Sequence, residues 1–269
     1  MACKGIKKQA ITMNKPYVKT MQESMEKQER RISEQLLFGV DSKIPANDIL
    51  QNNLSQFEWV VRNKAYPNFW GRYLNGEKCL TREEIKFIHS KGCKIAALYT
   101  SFDKKETEEQ GKLLAKKVSI AAIELHIPQK TAIYLEIASN ETAERDFMRG
   151  YAQELIEEGF VPGFKADTDA KFSFDRQFSR GMQTDRAIFQ QCLLWAAAPV
   201  LAEYDGIITT HFIHPDYWKP FAPSGVTRKE IAVWQYGRNC HPIYDNNDQE
   251  ATFHINLIRN EKILIKQMF

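Results

Sequence analysis

Three carboxylates sit where apolar runs of the chain end. Asp41 follows LLFGV, Glu136 lies inside IYLEIA (133–138), and Asp245 closes HPIYD (241–245). Arg72, Tyr99, Trp195, Gln235 and Tyr236 occupy comparable places in other apolar runs. Carboxylates, a guanidinium and aromatic faces are the residue types that handle sugars. Aromatic rings stack on pyranose faces, one carboxyl can protonate a leaving oxygen, and another can face the positive charge that grows as the glycosidic bond breaks. For each residue alone a structural role is about as good an account. An Asp at a strand end can cap the segment that follows, and Arg72 can neutralise Glu136 in a buried pair. The set as a whole points to chemistry, with Asp41, Glu136 and Asp245 as the acidic residues and the other five as substrate contacts. If Arg72 does hold Glu136 ionised, Glu136 is a poor proton donor, which counts against hydrolysis.

Other chemistries have less support. His211-Phe-Ile-His214, with Asp216 nearby, has two ligand types but no clear third, so loop-packing histidines are the better account and no metal is expected. There is no G-x-S-x-G elbow. The five cysteines, at 3, 79, 93, 192 and 240, show neither C-x-x-C spacing nor an evident His partner. No dinucleotide fingerprint or P-loop is present, and no cofactor is expected.

Residues so far apart in sequence must be gathered by the fold. From Leu36 onward, short apolar runs alternate with helical patterns. Strands are predicted at 36–41, 68–74, 94–100, 131–138, 159–165 and 192–199. Helices are predicted over 46–64, from the Thr81-Arg-Glu-Glu84 capping box to Gly92, from Asp103 to about His126, over 141–158, and over 183–191. Strand-then-helix units of about thirty residues indicate parallel βαβ construction. After Pro199 the helical rhythm stops; residues 200–230 form a long aromatic-rich excursion, and 230–237 and 241–245 look like two further strands. The expectation is an α/β fold: an irregular (β/α)8-type barrel over 36–269, with about five helices and eight strands. A doubly wound open sheet is the competitor. Residues 1–35 are polar and charged and are expected to form a helical extension outside the barrel. In a (β/α)8 barrel, chemistry sits at the C-terminal ends of the strands, where the carboxylates fall.

Composition fits this. With 269 residues, 43% hydrophobic and 26% charged, the chain can bury one barrel-sized core. A net charge of +3 and no basic, aromatic-interleaved stripe argue against nucleic acid as a partner. The longest apolar stretch, 193–202, is interrupted by Pro199 and is too short for a membrane span. The basic N-terminus lacks an apolar h-region, so a cytoplasmic location or export by a non-standard route is expected.

Several segments, in order, resemble a known group: FGVDS (38–42), FWGRYL (69–74), LTREEIKFIHSKGCKIAALY (80–99), YLEIA (134–138), LLWAAAP (193–199), and WQYG followed by YDNN (234–247). The resemblance, covering roughly 36–250, is to the glycoside-hydrolase-like barrels of unknown function related to the family 25 lysozymes, which are N-acetylmuramidases. It implies a barrel of five helices and eight strands, and peptidoglycan or a related cell-wall polysaccharide as substrate. Asp41 matches the family's first-strand Asp and Asp245 its late Asp. The strand-four motif of those lysozymes is Asp-x-Glu, with Glu as principal acid. One register places Glu136 at the Asp and Ala138 at the Glu, so the acid would be missing. A register shifted by two places Glu136 at the Glu and Tyr134 at the Asp. With Ala138 at the acid position, either Glu136 is itself the acid, or Glu141 in the following loop supplies one. The alternative is a catalytically degenerate barrel that binds glycan or a protein partner.

Overall fold

The computed structural model describes residues 36–269 except 51–52, 63–65, 102, 198–206, 209–214, 216, 243–252 and 260. By backbone contacts the chain divides into Met1–Gln35 and Leu36–Phe269. The N-terminal helical extension, Asp245, and the His211/His214/Asp216 group expected from sequence all lie outside the described residues.

Eight strands close into a barrel: β1 (Leu37–Ser42), β2 (Phe69–Tyr73), β3 (Lys94–Thr100), β4 (Ala132–Glu136), β5 (Val161–Ala166), β6 (Leu193–Ala196), β8 (Ile231–Pro242) and β9 (Phe253–Ile258). Neighbours from β1 to β6 are parallel, and β6 pairs in parallel with β8. β9 runs antiparallel to both β8 and β1 and closes the ring. The two-residue β7 (Ile207–Ile208) pairs with the far end of β8. Closure makes this a barrel rather than a doubly wound sheet. The described helices are α1 (Gln56–Arg62), α2 (Arg82–Ser90), α3 (Glu108–Glu124), α4 (Arg145–Glu157), α5 (Ser173–Thr184), α6 (Arg186–Phe189) and α7 (Glu261–Gln267).

The last quarter differs from expectation. Residues 231–242 form one strand rather than two, bent by register shifts between Gln235 and Gly237 and between Gly237 and Cys240. The eighth barrel strand is 253–258, downstream of the segment expected to supply it. Helix α5 was not expected; its apolar stripe is only Phe174, Phe178 and Met182, spaced four apart. The Thr81 side chain does accept from the Glu84 N–H, as a capping box requires. The Glu84 carboxylate turns elsewhere, accepting from the Ala46 N–H at 2.7 Å and from Arg72.

Because side chains alternate across a strand, each barrel strand sends one set inward and one outward. The outward set, including Val40, Trp70, Ile95, Leu135, Phe164, Leu194 and Trp234, packs under the helices. The inward set fills the lower lumen with Phe69, Leu98, Tyr134, Trp195, Val233 and Ile258, and Met268 after α7 packs onto it. Two glycines make room for this. A Cβ on Gly163 would lie 2.5 Å from the Tyr134 ring, and one on Gly71 would lie 2.5 Å from the Asp41 Cβ. The lower lumen is therefore largely apolar, and the cluster of ionised inward groups lies at the upper end.

Candidate active site

The upper inward positions are Asp41 (β1), Tyr73 (β2), Glu136 (β4), Lys165 (β5), Gln235 (β8), and His254 and Asn256 (β9). At their centre is a cation. Lys165 Nζ lies 2.5 Å from Asp41 Oδ2, 3.2 Å from Glu136 Oε1 and 3.3 Å from the Tyr73 hydroxyl. It also stands 5.3 Å from the centroid of the Trp195 ring. Its place follows from register: Lys165 is the β5 residue directly opposite Glu136. Tyr73 donates to Glu136 Oε2 at 2.9 Å. Asn256 donates to Asp41 Oδ1 at 2.8 Å and accepts from Trp195 Nε1 at 2.9 Å. Each of these groups orients the next, so the constellation is pre-organised.

Protonation follows from these contacts. Burial pushes the carboxyl of Asp41 up, but Lys165, with help from His254 and Asn256, brings it below its ordinary value. Burial and Asp41 push Glu136 up, yet Lys165 and the Tyr73 hydroxyl hold it below the usual carboxylate range. Burial alone would depress Lys165; the two carboxylates raise it well above its ordinary value. Burial, with the nearby carboxylates, also drives Tyr73 far up, so its hydroxyl stays a donor. His254 is pushed down to about 4, chiefly by burial, and is neutral at pH 7. The centre holds two carboxylates and one ammonium. Asp41 is fully buried, whereas the Glu136 side chain keeps 24% of its surface exposed.

That exposed edge faces a pocket of about 260 Å³ at the C-terminal mouth. Lys43, Ala138, Asp167, Gln235, Arg238 and His254 line it together with Glu136 and Lys165. Gln235 is buried, and its Oε1 has no hydrogen-bond partner among the described residues. Asp167 is pushed above its ordinary value, chiefly by burial. Among the described residues, no group of three His, Cys, Asp or Glu side chains is placed to hold a metal ion.

The structure thus brings Glu136 and Gln235 to the mouth, holds Asp41 buried just behind Lys165, leaves Trp195 in the lumen below, and places three expected contacts elsewhere. Arg72 points out of the barrel and pairs with Glu84 at 2.6 Å, not with Glu136; it also donates to the Ser42 and Lys78 carbonyls. Lys165 is the cation beside Glu136. Tyr236 is buried on the outer face beside Trp234, and Tyr99 packs against the same outer core. Glu141 pairs with Lys105 at 3.1 Å and is not among the residues lining the pocket. Sequence reasoning missed Lys165, Asp167, His254 and Asn256. For Lys165 the signal was an uncompensated Lys ending an apolar strand; for β9 it was the alternation F-H-I-N-L-I.

Fold and pocket together define a glycoside hydrolase-like barrel. The chain belongs to the Rv2525c-like, glycoside hydrolase-like domain family, whose profile matches residues 61–250. No curated protein matches the sequence. Among solved structures, an uncharacterised B. stearothermophilus protein is 25% identical with a TM-score of 0.69, over 87% of this chain and 100% of that one. A family 25 glycosyl hydrolase from Bacillus anthracis is 13% identical with a TM-score of 0.48, over 86% and 94% of the two chains. The lysozyme of Streptomyces coelicolor is 11% identical with a TM-score of 0.46, over 83% and 92%.

Proposed function

We propose that the barrel mouth cleaves a glycosidic bond, with Glu136 as the ionised carboxylate that faces the reacting sugar. One observation carries this reading: the carboxylate is held ionised by Lys165 and Tyr73 while its edge opens into a pocket at the catalytic end of the barrel. A fixed negative charge there stabilises the oxocarbenium-like transition state of glycoside cleavage. Lys165, Asp41 and Asn256 act through Glu136, by holding it in place. The Gln235 Oε1 can accept a hydrogen bond from a sugar hydroxyl in the pocket. The glycoside hydrolase-like family, together with the sequence resemblance to barrels related to the family 25 lysozymes, directs the choice of substrate toward peptidoglycan or a related cell-wall polysaccharide.

A second reading, glycan binding without cleavage, is favoured by the complete enclosure of Asp41 between Lys165 and Asn256. Incubation with purified peptidoglycan fragments, followed by mass analysis, separates the two. The first expects new reducing ends from the wild type and a loss of at least about 100-fold in Glu136→Gln, with circular dichroism unchanged. Equal turnover in that variant refutes the role of Glu136. Binding of fragments with no product supports the second reading.

A further inference from the structure

Glu136 is committed to the ionised state, so it cannot lend the proton that a sugar leaving group needs. Strand pairing shows where another carboxyl stands. Glu136 and Lys165 are opposite one another, and the ladder continues past the end of β4, with the Ile137 N–H donating to the Lys165 carbonyl at 2.8 Å. Two residues further along each strand come Ala138 and Asp167, and the pocket is lined by both. Side chains two apart share a face, so Asp167 projects on the same side as Lys165. Parallel neighbours lie about 4.8 Å apart and rise about 3.3 Å per residue, so the two backbone positions stand about 8 Å apart, close enough for both carboxyls to reach one sugar linkage. We infer that Asp167 is the proton donor of this pocket, an inference that rests on the glycoside-cleaving reading above.

The surroundings of the two carboxyls differ in the way such a division of labour requires. Glu136 touches an ammonium and a phenol. Asp167 forms no ion pair among the described residues, and its Oδ1 accepts only a long 3.4 Å hydrogen bond from the Asp169 N–H. Half-burial raises its pKa and the Asp169 carboxylate adds a little, while the hydrogen bond from the Asp169 N–H lowers it. Arg238 on β8 and Lys171 in the following loop also lower it without reversing the shift. The remaining charged or titratable groups of the pocket are Lys43, Glu136, Lys165 and His254.

In the step itself, the Asp167 carboxyl gives its proton to the bridging oxygen as the C–O bond breaks. The bond's electron pair stays on that oxygen, and Glu136 faces the sugar cation. Water then adds to the anomeric carbon and passes one proton to the Asp167 carboxylate. One glycosidic bond and one water become two hydroxyls, and both carboxyls return to their starting states.

The test compares wild type, Asp167→Asn, Glu136→Gln and the double variant Asp167→Asn/Ala138→Glu on peptidoglycan fragments and on a 2,4-dinitrophenyl glycoside, whose leaving group needs no proton. Asp167→Asn is expected to lose about 10²–10⁴-fold on fragments but no more than about tenfold on the aryl glycoside, and to lose the alkaline limb of its pH profile. Glu136→Gln is expected to lose both activities. Ala138→Glu restores a carboxyl to the same pocket and is expected to recover part of the fragment cleavage, which a folding defect would not allow. If Asp167→Asn matches wild type, or falls equally on both substrates, the assignment of Asp167 is overturned while the carbohydrate reading stands. If wild type cleaves neither substrate, the carbohydrate reading falls and this assignment with it.

Discussion

Replacing Lys165 by Met keeps the length of the side chain and removes the one ammonium between Asp41 and Glu136. Unit charges about 4 Å apart attract by about 4 kcal/mol at an effective dielectric near 20. Lys165 makes closer contacts than that with both carboxylates, at 2.5 and 3.2 Å. Desolvation offsets much of the gain, so the buried pair contributes little net stability; removing one partner alone costs about 3–5 kcal/mol because the other charge is stranded. Asp41 is the stranded charge, fully buried and left with Asn256 as its donor. For a domain of this size such a loss lowers Tm by on the order of 10 °C.

The pH dependence gives the sharper readout. In the wild type Asp41 sits below its ordinary pKa, so it contributes stability above the unfolded-state value, and that contribution is lost as pH falls through the folded value. In Lys165→Met its pKa rises above the unfolded value, so ionising it costs stability at pH 7 and the cost fades as pH falls. The gap between variant and wild type should therefore narrow from pH 7 to pH 4. Urea unfolding followed by tryptophan fluorescence measures it. Asp41→Asn/Lys165→Met should be less destabilised than Lys165→Met, since no charge is stranded. A loss below about 1 kcal/mol with no pH dependence would refute the argument that Lys165 neutralises a buried carboxylate.

Two further perturbations separate the mouth from the outer shell. Gly71→Ala places a Cβ 2.5 Å from the Asp41 Cβ and 3.0 Å from the Trp195 ring; overpacking of about 1–3 kcal/mol is expected, with activity falling alongside stability in the same assays. Arg72→Met strands the buried Glu84 and should cost about 3–5 kcal/mol in urea unfolding, yet leave fragment cleavage per folded molecule unchanged, because Arg72 lies outside the lumen.

The order of strands and helices from β1 to β6 was legible because each unit carries its own local signal: an apolar run, then a helical stripe. Which face of a strand a residue occupies was not, since a slip of one residue exchanges inside for outside. Arg72 and Tyr73 show the cost of that slip. The more conspicuous guanidinium points outward to Glu84, and the neighbouring phenol holds Glu136. Tyr99 and Tyr236 fail for the same reason. The last barrel strand escaped because its polarity is inverted. In FHINLI the apolar residues Phe253, Ile255 and Leu257 face the helical shell, while His254 and Asn256 face the lumen, so the usual rule of apolar inside misreads it.

Lys165 was overlooked for a different reason, despite its place at the end of an apolar strand, and that reason bears on the geometry of the site. A lysine at a strand end ordinarily reaches water with its head group. Here the lumen below it is filled by Trp195 and Tyr134, and the space above is taken by two carboxylates, so the head group is trapped. One ammonium between two carboxylates can neutralise only one. Asp41, wholly enclosed and also bonded to Asn256, is the natural partner, which leaves the second negative charge on Glu136, the only one of the pair with an open edge. In the proposed reading, the burial of Asp41 against Lys165 leaves the charge of Glu136 to face the pocket. A barrel kept only as a scaffold would be as stable or more so with apolar residues at all three positions; the carboxylate kept at the pocket edge, with Lys43 and Arg238 on the other walls, is what the proposed glycoside cleavage would use.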